Sequence, residues 1–429
     1  MTSLDLNDLS QASIEAAALD DLERAIQRGE PPAIPPIADL DGRIHRRIED
    51  DRIASLSARR CALTAVPGSL SQLAGLRTLD LTGNRLTTLP ESFGELAQLR
   101  RLLLDGNELT SIPRSLGHLH DLEELHLDTN RLTGLPASLG QLPMLETLCL
   151  RENRFSAVPA AITQLERLRE LSLSKNRLRA LPTSFWRLTT LESLNLGENR
   201  LSVLPAQIGA LTLLHTLDLG HNELVELPES LGQLTRLSRC LYLGHNRLSL
   251  IPGAVLQRLS RLRYLNMSDN RLTYLPGSIG DLACLEELRL YNNRLGSLPE
   301  SIGRLSRLQE LHLQSNELVA LPLAIGDLRR LKELRLSNNR LTELPHAVGE
   351  LCNLESLDLR NNPLRFLPES VGKLARLTRL DLRAGQLTSL PDSLGELPRL
   401  EKLDLRWNKI SPIPGWIDRL EQRGCTVLL

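Results

Sequence analysis

Aromatic residues are scarce: Phe, Tyr and Trp together make up 3% of the 429 residues. A core of packed rings is therefore excluded, and the apolar content has to come from Leu, Ile, Val and Ala. No apolar run reaches the roughly 18 residues that a membrane-spanning helix needs. Neither sign of charge prevails, with 51 Lys and Arg against 52 Asp and Glu. The formal net charge of -1 gives no overall field to draw the chain to nucleic acid or to an anionic membrane. Cysteine is sparse: Cys61, Cys149, Cys240, Cys284, Cys352 and Cys425 form no C-x-x-C pair and no terminal cluster. The opening stretch MTSLDLNDLSQAS has no basic segment followed by an apolar one, so it does not read as a secretory signal. These absences point to a soluble protein of a reducing, cytoplasmic compartment. A phosphate loop and a dinucleotide fingerprint are also missing, and no cofactor is expected.

What is present is a repeat. The template L-x-x-L-x-L-x-x-N-x-L-x-x-L-P-x-x-I/L-G-x-L recurs from about Ile53 onward. Its Asn falls at Asn84, Asn107, Asn130, Asn153, Asn176, Asn199, Asn222, Asn246, Asn270, Asn293, Asn316, Asn339, Asn362 and Asn408. Cys61 and Gly385 fill the same slot, making sixteen repeats. The step is 23 residues except for two steps of 24, ending at Asn246 and Asn270. The first extra residue falls in Ser238-Arg239-Cys240, and the second in the segment from Pro252 to Leu259.

Each part of the template has a physical reason. L-x-L alternates at period two, so it is a short strand with leucines inward. The Asn amide is placed to satisfy backbone groups of the turn and of the next coil. The Pro ends the extended segment because it cannot donate to a ladder. The Gly is expected to permit a tight bend. A coiled coil is excluded by a Pro in every repeat. One coil cannot bury its leucines alone, so coils stack into a continuous core. The expected fold is an α/β solenoid: a curved horseshoe with a parallel sheet on its concave side and short helices or turns on its convex side.

Repeats such as LRTLDLTGNRLTTLPESFGEL resemble the intracellular 23-residue class of leucine-rich-repeat proteins. That class includes the plant Ras-group proteins, the animal scaffold of the Ras–MAP kinase pathway, and bacterial proteins, some of them injected effectors. The resemblance covers about residues 53–429. It implies a non-catalytic scaffold that binds another protein on its concave face, or alternatively an effector that binds a host protein inside a host cell. Extracellular members usually close their ends with disulfides, and neither end here has the cysteines for that. The Ala-, Arg- and Leu-rich composition suggests a bacterial source.

Residues 1–52 are expected to form an N-terminal cap and link, 53–410 the repeats, and 411–429 a C-terminal cap. Ile14, Ala18, Leu22, Ala25 and Ile26 set a helical face over Gln11–Arg28, with Gly29 as its stop. Pro31, Pro32, Pro35 and Pro36 then form an extended link. Gly415–Gln422 reads as a helix with Gly424 as C-cap, and Cys425–Leu429 as a last strand.

The outward strand positions have no packing duty, so their chemistry is free to serve binding. Three of the four tyrosines, Tyr242, Tyr264 and Tyr291, fall there in three consecutive repeats. Arg289, His312 and Arg335 stand in the same region, beside Glu287, Glu310 and Glu333. Tyr and Arg dominate binding hot spots, so these six residues are the expected partner-binding site, centred on Tyr264, Arg289 and Tyr291. The last repeats stack Asp358, Asp381 and Asp404 between Arg360, Arg383, Arg406 and the bases Arg379 and Lys402. This block reads as a self-paired ladder. Asn266 is expected to point into solvent.

Other chemistries are weaker matches. His126, Asp128 and Cys149 supply the residue types of nucleophilic catalysis, but an open sheet offers no oxyanion hole. His221 and His245 lack a third ligand for zinc. An Arg column follows the Asn, but Glu108, Glu223 and Glu317 interrupt it, so nucleic acid is not an expected partner. A monomer without membrane insertion is expected.

Overall fold

Alternating L-x-L segments become strands of three residues, one per repeat, in a computed structural model that describes residues 6–27 and 43–429. The chain divides into two compact units, Met1–Arg200 and Leu201–Leu429.

The first unit opens with helix α1 (Leu6–Gln27). The helix starts five residues before the sequence expectation, and no Pro or Gly lies between Leu6 and Gln11 to stop it. Its buried stripe is Glu15, Ala18, Leu19 and Leu22, while Ile14 faces solvent. Glu15 takes the inward place because one of its carboxylate oxygens accepts a hydrogen bond from the Ile53 N–H at 3.2 Å. Ser69 donates to Asp21 at 2.8 Å, fixing α1 on the first coil. Arg28, the stop at Gly29 and the link through Pro31, Pro32, Pro35 and Pro36 lie outside the described residues.

A hairpin follows that the sequence did not announce. Strands β1 (His45–Glu49) and β2 (Arg52–Ser57) pair antiparallel around Asp50-Asp51, both left-handed at φ 49° and 58°. Two consecutive positive φ values are the signature of the tight hairpin turn that matches strand twist. The boundary drawn at residue 53 thus falls inside β2. The charged β1 shields the open edge of the repeat sheet. From β2 the unit continues in parallel through β3 (Thr78–Asp80), β4 (Arg101–Leu103), β5 (Glu124–His126), β6 (Thr147–Cys149), β7 (Glu170–Ser172) and β8 (Ser193–Asn195).

The second unit contains β9 (Thr216–Asp218), β10 (Cys240–Tyr242), β11 (Tyr264–Asn266), β12 (Glu287–Arg289), β13 (Glu310–His312), β14 (Glu333–Arg335), β15 (Ser356–Asp358), β16 (Arg379–Asp381), β17 (Lys402–Asp404) and β18 (Thr426–Leu428). All ten are parallel and paired in chain order. The two long steps are local. The Ser238 and Arg239 N–H groups share the His215 carbonyl at 3.3 and 3.0 Å, and pairing resumes at Cys240 opposite Thr216. The second extra residue turns one 3-10 segment into a short α-helix, α2 (Gly253–Leu256). Helix α3 (Trp416–Gln422) and β18 close the last coil; the C-cap is Arg423, and the expected cap Gly424 stands one residue beyond it, left-handed at φ 90°.

In both units the template Pro precedes a 3-10 turn on the side away from the strands, except Pro252 and Pro414, which precede α2 and α3. The Pro67 carbonyl, for instance, accepts the Leu70 N–H at 3.2 Å. The template Gly of these turns, as at Gly117, is not there for a bend. Its backbone is not left-handed; instead a Cβ on Gly117 would lie 2.4 Å from the Ser138 carbonyl oxygen of the following coil. The glycine permits close stacking of coils.

The Asn ladder is built as the template requires, except that its amide reaches the preceding coil rather than the next. Asn130 donates to the Leu104 carbonyl at 3.0 Å and to the Leu127 carbonyl at 3.1 Å, and accepts the Leu109 N–H at 3.0 Å. The residue before the Asn is left-handed in each repeat, Thr129 at φ 54° among them. Most such residues carry a Cβ, so the ladder holds a conformation that costs energy in isolation.

Gly385 lacks the amide, so the Leu364 N–H has no counterpart of the Leu341 N–H bond to Asn362 at 3.1 Å. Gly385→Asn is expected to slow hydrogen exchange at Leu364 about tenfold, as one buried donor regains an acceptor. A Cβ there meets the Asn408 amide oxygen at 2.6 Å, a side-chain atom that can shift. Unchanged exchange at Leu364 would contradict the ladder assignment.

Candidate functional site: the open face of the sheet in the second unit

Parallel register sets outward side chains in rows across the strands. One row runs Tyr242, Asn266, Arg289, His312, Arg335, Asp358, Asp381, Asp404 over β10–β17. The row beside it runs Cys240, Tyr264, Glu287, Glu310, Glu333, Ser356, Arg379, Lys402.

Tyr242 and Tyr264 touch, with ring centroids 4.8 Å apart and planes tilted by 44°. The Arg289 guanidinium stands 5.5 Å from the Tyr264 ring centre and pairs with Glu287 through a very close contact. Burial pushes the Tyr264 phenol up to about 12, and burial also raises Tyr242. Burial disfavours the Arg289 charge, but the Glu287 carboxylate more than offsets this and raises its pKa. Tyr291 is half-buried on the same strand's continuation.

His312 is 4% exposed, and its Nε2 lies 3.0 Å from the Glu310 carboxylate, so it holds Glu310 in place. Arg335 is exposed and donates to Glu333 at 2.6 Å. Ligand atoms of Glu287, Glu310 and His312 lie within 4.8 Å of one another, but Arg289 already supplies the positive charge at Glu287. Asn266 is half-buried rather than free in solvent: its Oδ1 accepts from the Ser268 N–H at 2.9 Å and the Ser268 hydroxyl at 2.7 Å. The structure therefore brings Tyr242, Tyr264 and Arg289 into contact, with Tyr291 two residues on from Arg289 and with His312 and Arg335 next in the same row.

The second sequence candidate does not assemble as nucleophilic machinery. Burial and the Asp128 and Asp105 charges push the Cys149 thiol up to about 12, opposite to what a thiolate nucleophile needs. The His126 ring nitrogens stand 3.8 Å from Asp105 and from Glu124. His221 and His245 stack face to face at 3.9 Å, and the His245 Nε2 meets Asp269 at 3.1 Å.

Strands β14–β17 carry a cleft of about 250 Å³ whose walls include Arg335, Asp358, Arg379, Asp381 and Lys402. Asp381 pairs with Arg383 at 2.7 Å, and Asp404 with Arg406 at 2.7 Å. Burial works against the Asp404 charge, yet Arg406 and Arg383 hold its carboxyl below the usual range. Asp358, with Arg360 at 3.4 Å, is raised by burial. Sequence columns missed which bases are engaged here, because both flanks offer Arg or Lys. They also missed Trp407, 71% exposed, with Arg406 5.4 Å from its ring centre. Its signal was a bulky residue in the slot before the ladder Asn.

Stacked coils with one short parallel strand each, leucines inward and an Asn ladder define a leucine-rich-repeat solenoid. The sequence matches a leucine-rich repeat region over residues 244–336 and 323–422, and the leucine rich repeat over 52–109, 145–201 and 166–224. A leucine-rich-repeat protein of Leptospira interrogans is 35% identical with a TM-score of 0.82, covering 95% of this chain and 98% of that one. The chain belongs to the leucine-rich-repeat family. The ectodomain of the Arabidopsis thaliana receptor kinase GASSHO1/SCHENGEN3, solved with Casparian strip integrity factor 2, is 30% identical with a TM-score of 0.62, covering 88% of this chain and 56% of that one. The plant peptide hormone receptor RGFR1, solved with RGF2, is 25% identical with a TM-score of 0.59, covering 85% and 72%. No curated protein matches the sequence. Among the described residues no helix is long and apolar enough to cross a membrane.

Proposed function

We propose that the protein is a non-catalytic binding module that holds a protein partner on the open face of β10–β14. The observation that carries this reading is the tyrosine–arginine cluster. Tyr242, Tyr264 and Tyr291 are half-exposed on a sheet face where the fold needs no aromatic side chain. Tyr264 lies between the Tyr242 ring and the Arg289 guanidinium, so its contact area is pre-organised. Arg289 and Arg335 are held by Glu287 and Glu333, and His312 holds Glu310. The peptide-bound plant receptors offer a precedent for ligand binding by this fold. Six free thiols favour a reducing compartment and hence a cytoplasmic partner.

The pair Tyr264→Ala and Tyr291→Ala is expected to leave stability within about 0.5 kcal/mol and to weaken a purified partner's binding at least a hundredfold. Calorimetric titration of parent and double variant measures this. Equal affinity for the two proteins would move the site off this cluster.

A further inference from the structure

The charged cleft is compensated on one flank only. Arg360, Arg383 and Arg406 pair with Asp358, Asp381 and Asp404, and Arg383 also reaches Asp404 at 3.2 Å. All three acids thus find their bases on the same side. On the other side Ser356, Arg379 and Lys402 stand in direct register across β15, β16 and β17. Arg379 and Lys402 are exposed, and among the described residues no carboxylate lies within 4.0 Å of either. The contrast with β12–β14 is sharp. There the same row holds Glu287, Glu310 and Glu333, which engage Arg289, His312 and Arg335. The row therefore changes sign along the sheet, from three acids through Ser356 to two unengaged bases.

We propose that this cleft binds an acidic segment of a protein partner, with its carboxylates bridging Arg379 and Lys402. Adjacent parallel strands lie about 4.8 Å apart, so one carboxylate or two neighbouring ones span both bases. The Ser356 hydroxyl stands next in the row as a further donor. The three aspartates do not repel the segment strongly, because their charge is spent on Arg360, Arg383 and Arg406. The cleft lining balances four carboxylates, Glu333, Asp358, Asp381 and Asp404, with four bases, Arg335, Arg360, Arg379 and Lys402, and Arg383 and Arg406 beside it leave the patch positive. A nucleic acid fits poorly: the free basic stretch is two residues long and runs into three glutamates, whereas a phosphate backbone needs a longer track. The inference goes beyond the tyrosine cluster and stands without it.

The test uses a fluorescein-labelled peptide of alternating Glu and Gly, read by fluorescence polarisation at low salt with the full chain. Two exposed charge pairs together supply about tenfold in affinity. Arg379→Ala with Lys402→Ala is expected to weaken binding about tenfold with an unchanged melting curve. Tyr264→Ala with Tyr291→Ala is expected to bind the peptide like the parent, which separates this proposal from the tyrosine site. Carbodiimide coupling of the peptide is expected at Lys402 ahead of Lys175, Lys332, Lys373 and Lys409, the other lysines of the chain. No measurable binding, equal affinity in the Arg379 and Lys402 variant, coupling spread evenly over the lysines, or displacement by inorganic phosphate at lower concentration than by the unlabelled peptide would overturn it.

Discussion

Asn199→Ala is expected to lower stability by about 3 kcal/mol, read by chemical denaturation. The Asn199 amide donates to the carbonyls of Leu173 at 2.9 Å, Leu196 at 3.0 Å and Gly197 at 3.2 Å, and accepts the Leu178 N–H at 3.0 Å. Alanine leaves this N–H and the carbonyls without their partner at a site only 8% exposed, where water does not replace it freely. Asn266→Ala is the comparison. It frees the Ser268 N–H and hydroxyl, so it is expected to cost about 1 kcal/mol, more than a surface position would. Equal losses at the two positions would contradict the assignment of one Asn to the ladder and the other to the sheet face.

Gly349→Ala is expected to cost about 3 kcal/mol, the upper end for overpacking. A Cβ on Gly349 would lie 2.3 Å from the Ser370 carbonyl oxygen and 2.6 Å from the Ser370 Cβ. The obstacle is largely backbone of the next coil, so relief requires the coils to part. Gly296→Ala, where nothing lies within 4 Å of the new atom, is expected to stay within about 0.5 kcal/mol. Thermal melting of the two variants side by side separates a stacking glycine from a loop glycine. A small shift for Gly349→Ala would mean that the coils have slack the distances do not show.

The repeat made most of the fold legible. A residue recurring every 23 positions has one environment, so Asn199, its strand and its inward leucines could be placed from any other repeat. The rows of outward residues followed from the same phase, which is why Tyr242, Tyr264 and Arg289 were found together. Features that occur once were harder. Strand β1, HRRIE, carries three bases and a lone buried-type residue, and Asp50-Asp51 is a less obvious turn than Asn-Gly, so the hairpin left little signal. The helical face of α1 was set by a carboxylate, Glu15, that no hydrophobic pattern includes. Glycine in the template signalled a need for no side chain, but whether for a left-handed bend or a close neighbour depends on the adjacent coil. Likewise, columns place Arg379 beside Asp381 as surely as they place Arg383 there. Which base turns toward the acid is a matter of side-chain geometry.

The sheet-face reading is tested most directly by hydroxyl-radical footprinting of the tyrosines with and without the bound protein partner. Tyr242, Tyr264 and Tyr291 lie on the open face, whereas Tyr274 is 51% exposed in a loop off that face. Strong protection of the three sheet tyrosines is expected on binding, with Tyr274 as reactive as before. Protection of Tyr274 alone, or unchanged reactivity at all four, would contradict it.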